Sequence, residues 1–187
     1  MKKTLFSLAL VALFSTANLT TVSAQKVKTV MVGGAAMYPT KNIVENAVNS
    51  KDHTTLVAAV KAAGLVETLE SAGPFTVFAP TNEAFGKLPK GTVETLLKPE
   101  NKATLTKILT YHVVAGRLTS ADLVKAIKAG KGKATLKTVS GGTLTAMLKG
   151  KSIELKDEKG GISTVTIANV MQSNGVIHVV NAVLLPM

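Results

Sequence analysis

The sequence predicts an α+β fold in which helices cover one largely antiparallel sheet. Apolar residues recur at helical spacing through the first 130 residues, as expected for amphipathic helices. From residue 134 onward polar and apolar residues alternate instead, and short glycine-containing turns separate the alternating segments, which is typical of a strand meander. The chain contains no cysteine, so core packing has to supply the stability that disulfides provide in many small domains.

The first half of the chain is predicted to be mainly helical. Gly64 ends a helix that Asp52 can cap, and Pro99 fits the first turn of a later helix. Residues 25–38 contain a Gly-Gly pair and little periodicity, and are predicted to form a flexible leader. Helical segments are predicted after Pro39, after Asp52, at 65–69, at Asn82–Phe85, at Val93–Leu97, from Pro99 to about Leu109, and from Ser120 to Gly130.

Seven short strands are predicted. Phe75–Ala79 is apolar on both faces, which favours a place inside the sheet between two other strands. Residues 111–114 leave the preceding helix as a second strand. The remaining five strands belong to the alternating region, at Ala134–Val139, Thr143–Leu148, Ser152–Lys156, Ser163–Ala168 and Val176–Asn181.

The N-terminus has the pattern of a secretory signal. Lys2 and Lys3 precede an apolar run from Leu5 to Phe14, and small residues at Val22 and Ala24 form a cleavage site before Gln25. We therefore expect residues 1–24 to be removed and the mature chain to be exported, into a bacterial periplasm or out of the cell. No later stretch has the 18 or so consecutive apolar residues of a membrane helix.

The mature chain is basic, and the excess lies in its second half. The net charge is +11 for the whole chain, and residues 117–160 contain ten basic and four acidic residues. Such a field attracts polyanions such as acidic polysaccharide, lipopolysaccharide or an anionic membrane surface. The alternative is that the lysines only solubilise the surface and protect strand edges. The candidate contact lysines are Lys125, Lys128, Lys131 and Lys133.

Composition argues against nucleic-acid binding and catalysis. The chain has no tryptophan and one arginine, so stacking platforms and bidentate base readers are missing. It has no serine-nucleophile motif and no phosphate-binding loop. His53, His112 and His178 lack metal-ligand spacing, and Asp157-Glu158 are predicted to be solvated in a glycine-flanked turn. We expect neither an enzyme nor a cofactor, although a catalytic site dispersed along the chain would leave no motif.

Three ordered stretches resemble the fasciclin domain family. Residues 73–85 resemble its first signature, Tyr111-His112 the tyrosine–histidine pair between the signatures, and residues 174–186 its second signature. The resemblance extends from residue 39 to the C-terminus, so a fasciclin-like domain is predicted for 39–187. Asn181 stands where the family usually has an acidic residue. The signature residues are Phe75, Phe78, Pro80, Thr81, Asn82, Phe85, Gly175, His178 and Asn181.

The resemblance implies a wedge of antiparallel sheet with helices around one side, and a binding function in adhesion or in envelope or matrix association. The implied partner is a cell-surface or matrix protein or an anionic polysaccharide. In animal members the tyrosine–histidine region is implicated in receptor contact, so Tyr111 and His112 are candidate contact residues. The alternative for this pair is structural, with His112 bonded to backbone and Tyr111 packed. A competing function is a periplasmic small-ligand carrier or stress-response protein with the same fold.

Overall fold

The computed structural model describes residues 28–187, and the signal predicted over residues 1–24 lies outside them. Seven α-helices and nine β-strands form in the described part of the chain. The strands are β1 Val30–Val32, β2 Ala35–Met37, β3 Phe75–Pro80, β4 Val113–Ala115, β5 Lys133–Lys137, β6 Thr143–Lys149, β7 Ser152–Lys156, β8 Ile162–Gln172 and β9 Gly175–Val180. The helices are α1 Ile43–Ala47, α2 Thr54–Ala63, α3 Val66–Glu70, α4 Asn82–Gly86, α5 Thr92–Leu96, α6 Lys102–Tyr111 and α7 Ser120–Ala129.

Seven strands form one sheet in the order β4-β3-β9-β8-β7-β6-β5. Every neighbouring pair is antiparallel except β3 and β9, which run parallel. A single bridge between Val114 and Thr138 joins the two edges, so the sheet curls back on itself. The predicted α+β class with a largely antiparallel sheet is confirmed.

Strands β3 and β9 separate two apolar cores. Val77 and Ala79 face the first core, which lies under helices α1, α2, α3 and α6, whereas Phe78 faces the second. The second core is closed by α7, whose Leu123 and Ile127 pack on the inner side of β5, β6 and β7. The central strands are therefore buried on both faces, which is why both of their faces are apolar.

The predicted flexible leader is wrong over residues 30–37, which form the hairpin of β1 and β2. Its turn is Gly33-Gly34, and both glycines have the positive φ that a two-residue hairpin turn needs, 56° and 78°. Val32 and Met37 are buried in the first core. The glycine pair thus makes a tight turn rather than a flexible segment.

The tyrosine–histidine pair also lies elsewhere than predicted. Tyr111 is the last residue of α6 and His112 caps that helix, so the strand begins only at Val113. Strand β8 is longer than predicted, because irregular pairing with β9 lets it continue to Gln172. Asn169 sits at one of these irregularities with φ at 59°.

Candidate functional site

The first signature fastens the end of β3 to the start of α2. The Thr81 hydroxyl accepts a hydrogen bond from the Ala84 amide at 3.2 Å and so caps α4. The Asn82 side chain accepts from the Thr55 amide at 3.0 Å and donates to the Lys51 carbonyl at 2.8 Å. Pro80 and Phe85 are buried beside these bonds. The first signature therefore has a structural role, since it connects the end of β3 to the start of α2.

The second signature places Asn174 where three segments meet. Its amide nitrogen donates to the carbonyls of Leu69 and Ser71, at 2.7 and 2.9 Å, and its oxygen accepts from the Ile43 amide at 3.1 Å. Gly175 follows against the Phe75 carbonyl, where a Cβ atom would collide with that oxygen. One amide side chain thus ties α1 and α3 to the turn before β9.

Replacing Asn174 with alanine should lower the free energy of unfolding by about 2 kcal/mol, because three backbone groups lose a buried partner. Urea unfolding followed by circular dichroism measures the change. Asn49→Ala is a suitable control, since Asn49 is exposed and its side chain makes one hydrogen bond, to the Glu45 carbonyl. Equal losses in the two variants would contradict the structural role assigned to the three hydrogen bonds of Asn174.

Tyr111 and His112 are both buried, with 0% and 3% of their surface exposed. The Tyr111 hydroxyl donates to the Thr143 carbonyl at 2.6 Å and accepts from the Glu158 amide at 3.1 Å. Burial raises the pKa of Tyr111 to about 12. Burial therefore removes this pair from direct contact with a partner. Its side chains instead hold α6 against the sheet.

The tautomer of His112 follows from its two bonds. Nε2 accepts from the Leu184 amide at 3.0 Å, so the proton of the neutral ring is on Nδ1, which donates to the Ile108 carbonyl at 2.9 Å. Burial lowers the pKa of His112 to about 4, which keeps the ring neutral at physiological pH. His112 thus connects the end of α6 to the C-terminal segment.

His178 is buried in β9, where its ring stacks on Phe78 with the ring centroids 5.7 Å apart. Its Nε2 donates to the Leu118 carbonyl at 2.8 Å, and the Asn169 amide approaches Nδ1 at 3.4 Å. Burial lowers the pKa of His178. Both nitrogens face backbone groups, so this histidine is not open to a substrate or a metal.

The sequence predicts that Asp157 and Glu158 are solvated in a turn. Glu158 does lie in that turn and is half-buried, whereas Asp157 is buried, and both carboxylates bind backbone amides. Asp157 is buried and accepts from Gly161 at 2.6 Å and Leu185 at 2.9 Å. Glu158 accepts from Thr143 at 2.9 Å and from Met187 at 3.1 Å. An aspartate before a glycine turn is a signal for side-chain-to-backbone bonding, but the long-range partners have no local signature.

Asn181, the departure from the family pattern, accepts from the Thr164 amide at 2.8 Å through its side-chain oxygen. Its carbonyl accepts from the Lys87 ammonium group at 2.9 Å. A neutral amide therefore supplies the acceptor at this position without a charge.

The four candidate lysines are exposed but do not share one face. Lys125 and Lys128 lie on the outer side of α7, opposite Leu123 and Ile127. Lys131 occupies the turn after this helix with φ at 54°. Lys133 begins β5 on the opposite side of the sheet from α7, because the buried residues Ala134 and Leu136 alternate with it. The structure divides the predicted patch in two.

A different set of lysines does share a face. The outer side of β5, β6 and β7, called here the open sheet face, carries four lysines and several threonines. Glu154 on β7 is only 12% exposed and pairs with Lys149 at 3.3 Å, and Glu158 borders the face, where its carboxylate accepts hydrogen bonds from Thr143. Within residues 28–187 the other three lysines have no carboxylate within ion-pair distance. The face consists of Lys133, Lys137, Lys149, Lys156, Thr135, Thr143, Thr145, Met147, Ser152 and Glu154.

Two kinds of site are missing from residues 28–187. No group of three or more histidine, cysteine or acidic side chains is arranged to hold a metal ion. No helix in the same range is both long and apolar enough to cross a bilayer. The described residues do present a basic, hydroxyl-rich sheet face over a packed core.

A model of the fasciclin domain matches residues 51–186. Protein sll1483 from Synechocystis sp. is 48% identical over 159 residues, covering 85% of this chain and 81% of its own length. Immunogenic protein MPB70 from Mycobacterium bovis is 37% identical, over 74% of this chain and 65% of its own. Transforming growth factor-beta-induced protein ig-h3 from Sus scrofa is 40% identical over 70% of this chain, but this covers 17% of that protein.

A solved structure shows the same fold. It is a FAS1 domain pair from the insect cell adhesion molecule Fasciclin I, with a TM-score of 0.70 at 19% identity, covering 79% of this chain and 52% of that one. The family model that matches describes a fasciclin domain and not a catalytic one. The match includes both signatures and the tyrosine–histidine pair, so the chain belongs to the fasciclin domain family.

Proposed function

We propose that this chain is an exported binding module that associates with an envelope or matrix by holding anionic polysaccharide on its open sheet face. The observation that carries the proposal is the set of three exposed lysines, Lys133, Lys137 and Lys156, which have no carboxylate within ion-pair distance in the described residues. The secretory pattern of residues 1–24 supports export, into the periplasm or beyond the cell.

The spacing of these lysines suits an extended polymer. Lys133 and Lys137 are four residues apart on β5, which is about 14 Å along a strand. Lys156 lies two strands away, about 10 Å across the sheet. Thr135 and Thr145 are a directly opposed pair between them and offer hydroxyl groups to sugar hydroxyls. Flat geometry and repeated charge therefore match a chain of acidic sugars better than a compact anion.

The face contains no aromatic side chain on which a sugar ring could stack. Binding should therefore be mainly electrostatic and should weaken as salt rises, since the screening length falls from about 10 Å at 0.1 M to about 3 Å at 1 M. A single domain with such a surface binds weakly by itself, and firm attachment needs several copies acting together.

The proposal predicts that Lys133→Gln, Lys137→Gln and Lys156→Gln combined weaken binding to a heparin-like column or an acidic polysaccharide by about 100-fold. The estimate takes about 1 kcal/mol for each lysine near an anionic surface. The measurement is retention at several salt concentrations together with titration calorimetry at low salt.

A matched control removes the same number of positive charges from the other lysine group. Lys125→Gln, Lys128→Gln and Lys131→Gln combined should weaken binding by less than about tenfold, because those side chains lie on or beside α7, away from the open sheet face. Equal losses in the two triple variants would show that net charge alone attracts the polymer. Column retention that does not change with salt concentration would exclude the electrostatic mechanism.

A further inference from the structure

An apolar cavity of about 90 Å³ lies in the first core, between the helices α1, α2 and α3 and the sheet. Leu56, Val60 and Leu69 line it from the helices, and Val77 and Ile177 line it from the strands. A well-packed core of this size leaves few voids larger than a water molecule, so the space is unusual. It lies on the other side of β3 and β9 from the second core, away from the open sheet face.

Two histidine rings line this cavity, His53 and His112, and only His53 has a nitrogen without a hydrogen-bond partner in the described residues. His53 lies in the short 3-10 turn Lys51–His53 before α2 and is 3% exposed. Its Nδ1 is 2.8 Å from the Ser50 hydroxyl, whereas Nε2 has no hydrogen-bond partner within residues 28–187. Buried polar atoms without a partner are rare in folded proteins, and each calls for an explanation.

The charge and tautomer of His53 follow from the groups around its ring. The Ser50 hydroxyl contacts no other acceptor in the described residues, so it donates to Nδ1 and the ring proton is on Nε2. Burial lowers the pKa of His53 and keeps the ring neutral at physiological pH, although a backbone contact with Ala79 and the Asp52 carboxylate oppose the shift. The Ala79 backbone therefore approaches the ring, but Nε2 has no hydrogen-bond partner of ordinary geometry within residues 28–187.

The ring is held rigidly in this position. The Lys51 amide donates to the Gly33 carbonyl at 3.1 Å, and the Lys51 carbonyl accepts from Asn82 at 2.8 Å. Gly33 packs so tightly on Ser50 that a Cβ atom there would collide with the hydroxyl. The β1–β2 hairpin therefore buttresses the histidine turn, and its Val32 also lines the cavity. A donor fixed in this way is preorganised for a ligand.

We propose that this cavity binds one small, compact apolar molecule that carries a single acceptor oxygen, the oxygen accepting a hydrogen bond from Nε2 of His53. The volume is below the 150 Å³ or so of an apolar cavity that holds benzene, so the ligand class is a short-chain or small-ring ketone or alcohol. Water suits the site poorly, because a buried water needs two to four polar partners. The site gives the small-ligand function, predicted as the alternative to adhesion, a specific location.

The test is a titration of the mature chain with acetone and, separately, with propane, followed by methyl NMR and by the imidazole nitrogen signals of His53. Acetone should shift methyl signals of Leu56 and Val60 together with Nε2 of His53. It should bind about tenfold more tightly than propane, the ratio expected for one added hydrogen bond. His53→Phe keeps an aromatic ring without the donor, so it should abolish this preference while propane still binds.

A filling variant separates the cavity from the rest of the surface. Ala47 lines the cavity, so Ala47→Leu should abolish binding of both probes, whereas Ala126→Leu on the exposed side of α7 should change nothing. Absence of shifts at the cavity methyls up to 20 mM ketone, on the order of a weak fragment affinity, would overturn the proposal. An unchanged ketone preference in His53→Phe would do the same.

Discussion

Replacing His112 with alanine should lower the free energy of unfolding by about 3 kcal/mol, one of the largest effects expected of a single substitution in this chain. The ring is buried, and each nitrogen bonds a backbone group, Ile108 on one side and Leu184 on the other. An unsatisfied buried amide costs about 1 to 3 kcal/mol, and the space left by the ring adds a cavity cost.

Urea unfolding of the variant and the natural chain at pH 7 measures this loss. The exposed substitution Lys125→Ala, on the outer side of α7, should change stability by less than about 0.5 kcal/mol. Binding of acidic polysaccharide by the folded fraction should be unchanged, because His112 is remote from solvent. A His112→Ala protein that keeps its stability but loses polysaccharide binding would show that His112 contacts the partner.

Acid should destabilise the fold between about pH 6.5 and pH 4. The pKa of His112 is about 4 in the folded chain and about 6.5 when unfolded, so below pH 6.5 only the unfolded chain takes up the proton. The free energy of unfolding therefore falls as pH drops through this window and is fully restored above it. A shift of this size is worth on the order of 3 kcal/mol. The pKa values of His53 and His178 are also lowered, so they act in the same direction.

Urea unfolding curves at pH 7, 5.5 and 4.5 give the change in the free energy of unfolding with pH. His112→Asn should make the slope shallower, because it removes the group with the largest shift, while His53 and His178 keep part of it. Glu158 provides a separate window: hydrogen bonds lower its pKa, so its contribution is lost only at more acidic pH, below the ordinary glutamate range. Stability that stays flat from pH 7 to 5 would contradict the neutral, buried assignment of His112.

The regular elements could be predicted because their signals are local. Alternation at Ser152–Lys156 predicts a strand with the bounds observed, and Gly64 ends α2 as its left-handed cap residue. Hairpin β1–β2 was missed because Gly33-Gly34 has the same local composition in a flexible segment and in a tight turn. The difference depends on whether Val32 and Met37 find a core to pack against, and that core is assembled from distant segments.

The candidate sites depended still more on long-range arrangement. Charge counting located the basic half of the chain, but the side of the sheet on which Lys133 lies follows from its pairing with Met147. The roles of Asp157 and His112 follow from Leu185 and Leu184, which are far away in sequence. No sequence pattern indicates that Nε2 of His53 is unpaired, because the lack of a partner depends on all the segments that pack around the ring.

The sequence by itself therefore determined the α+β class, the family and the basic character of the second half, since periodicity, ordered motifs and charge are properties of the chain. Only the tertiary structure decided that Tyr111 and His112 are buried, that the lysines divide between α7 and the open sheet face, and that a cavity lies beside His53. The physical reason is that exposure, shared faces and missing partners arise when segments distant in sequence pack together.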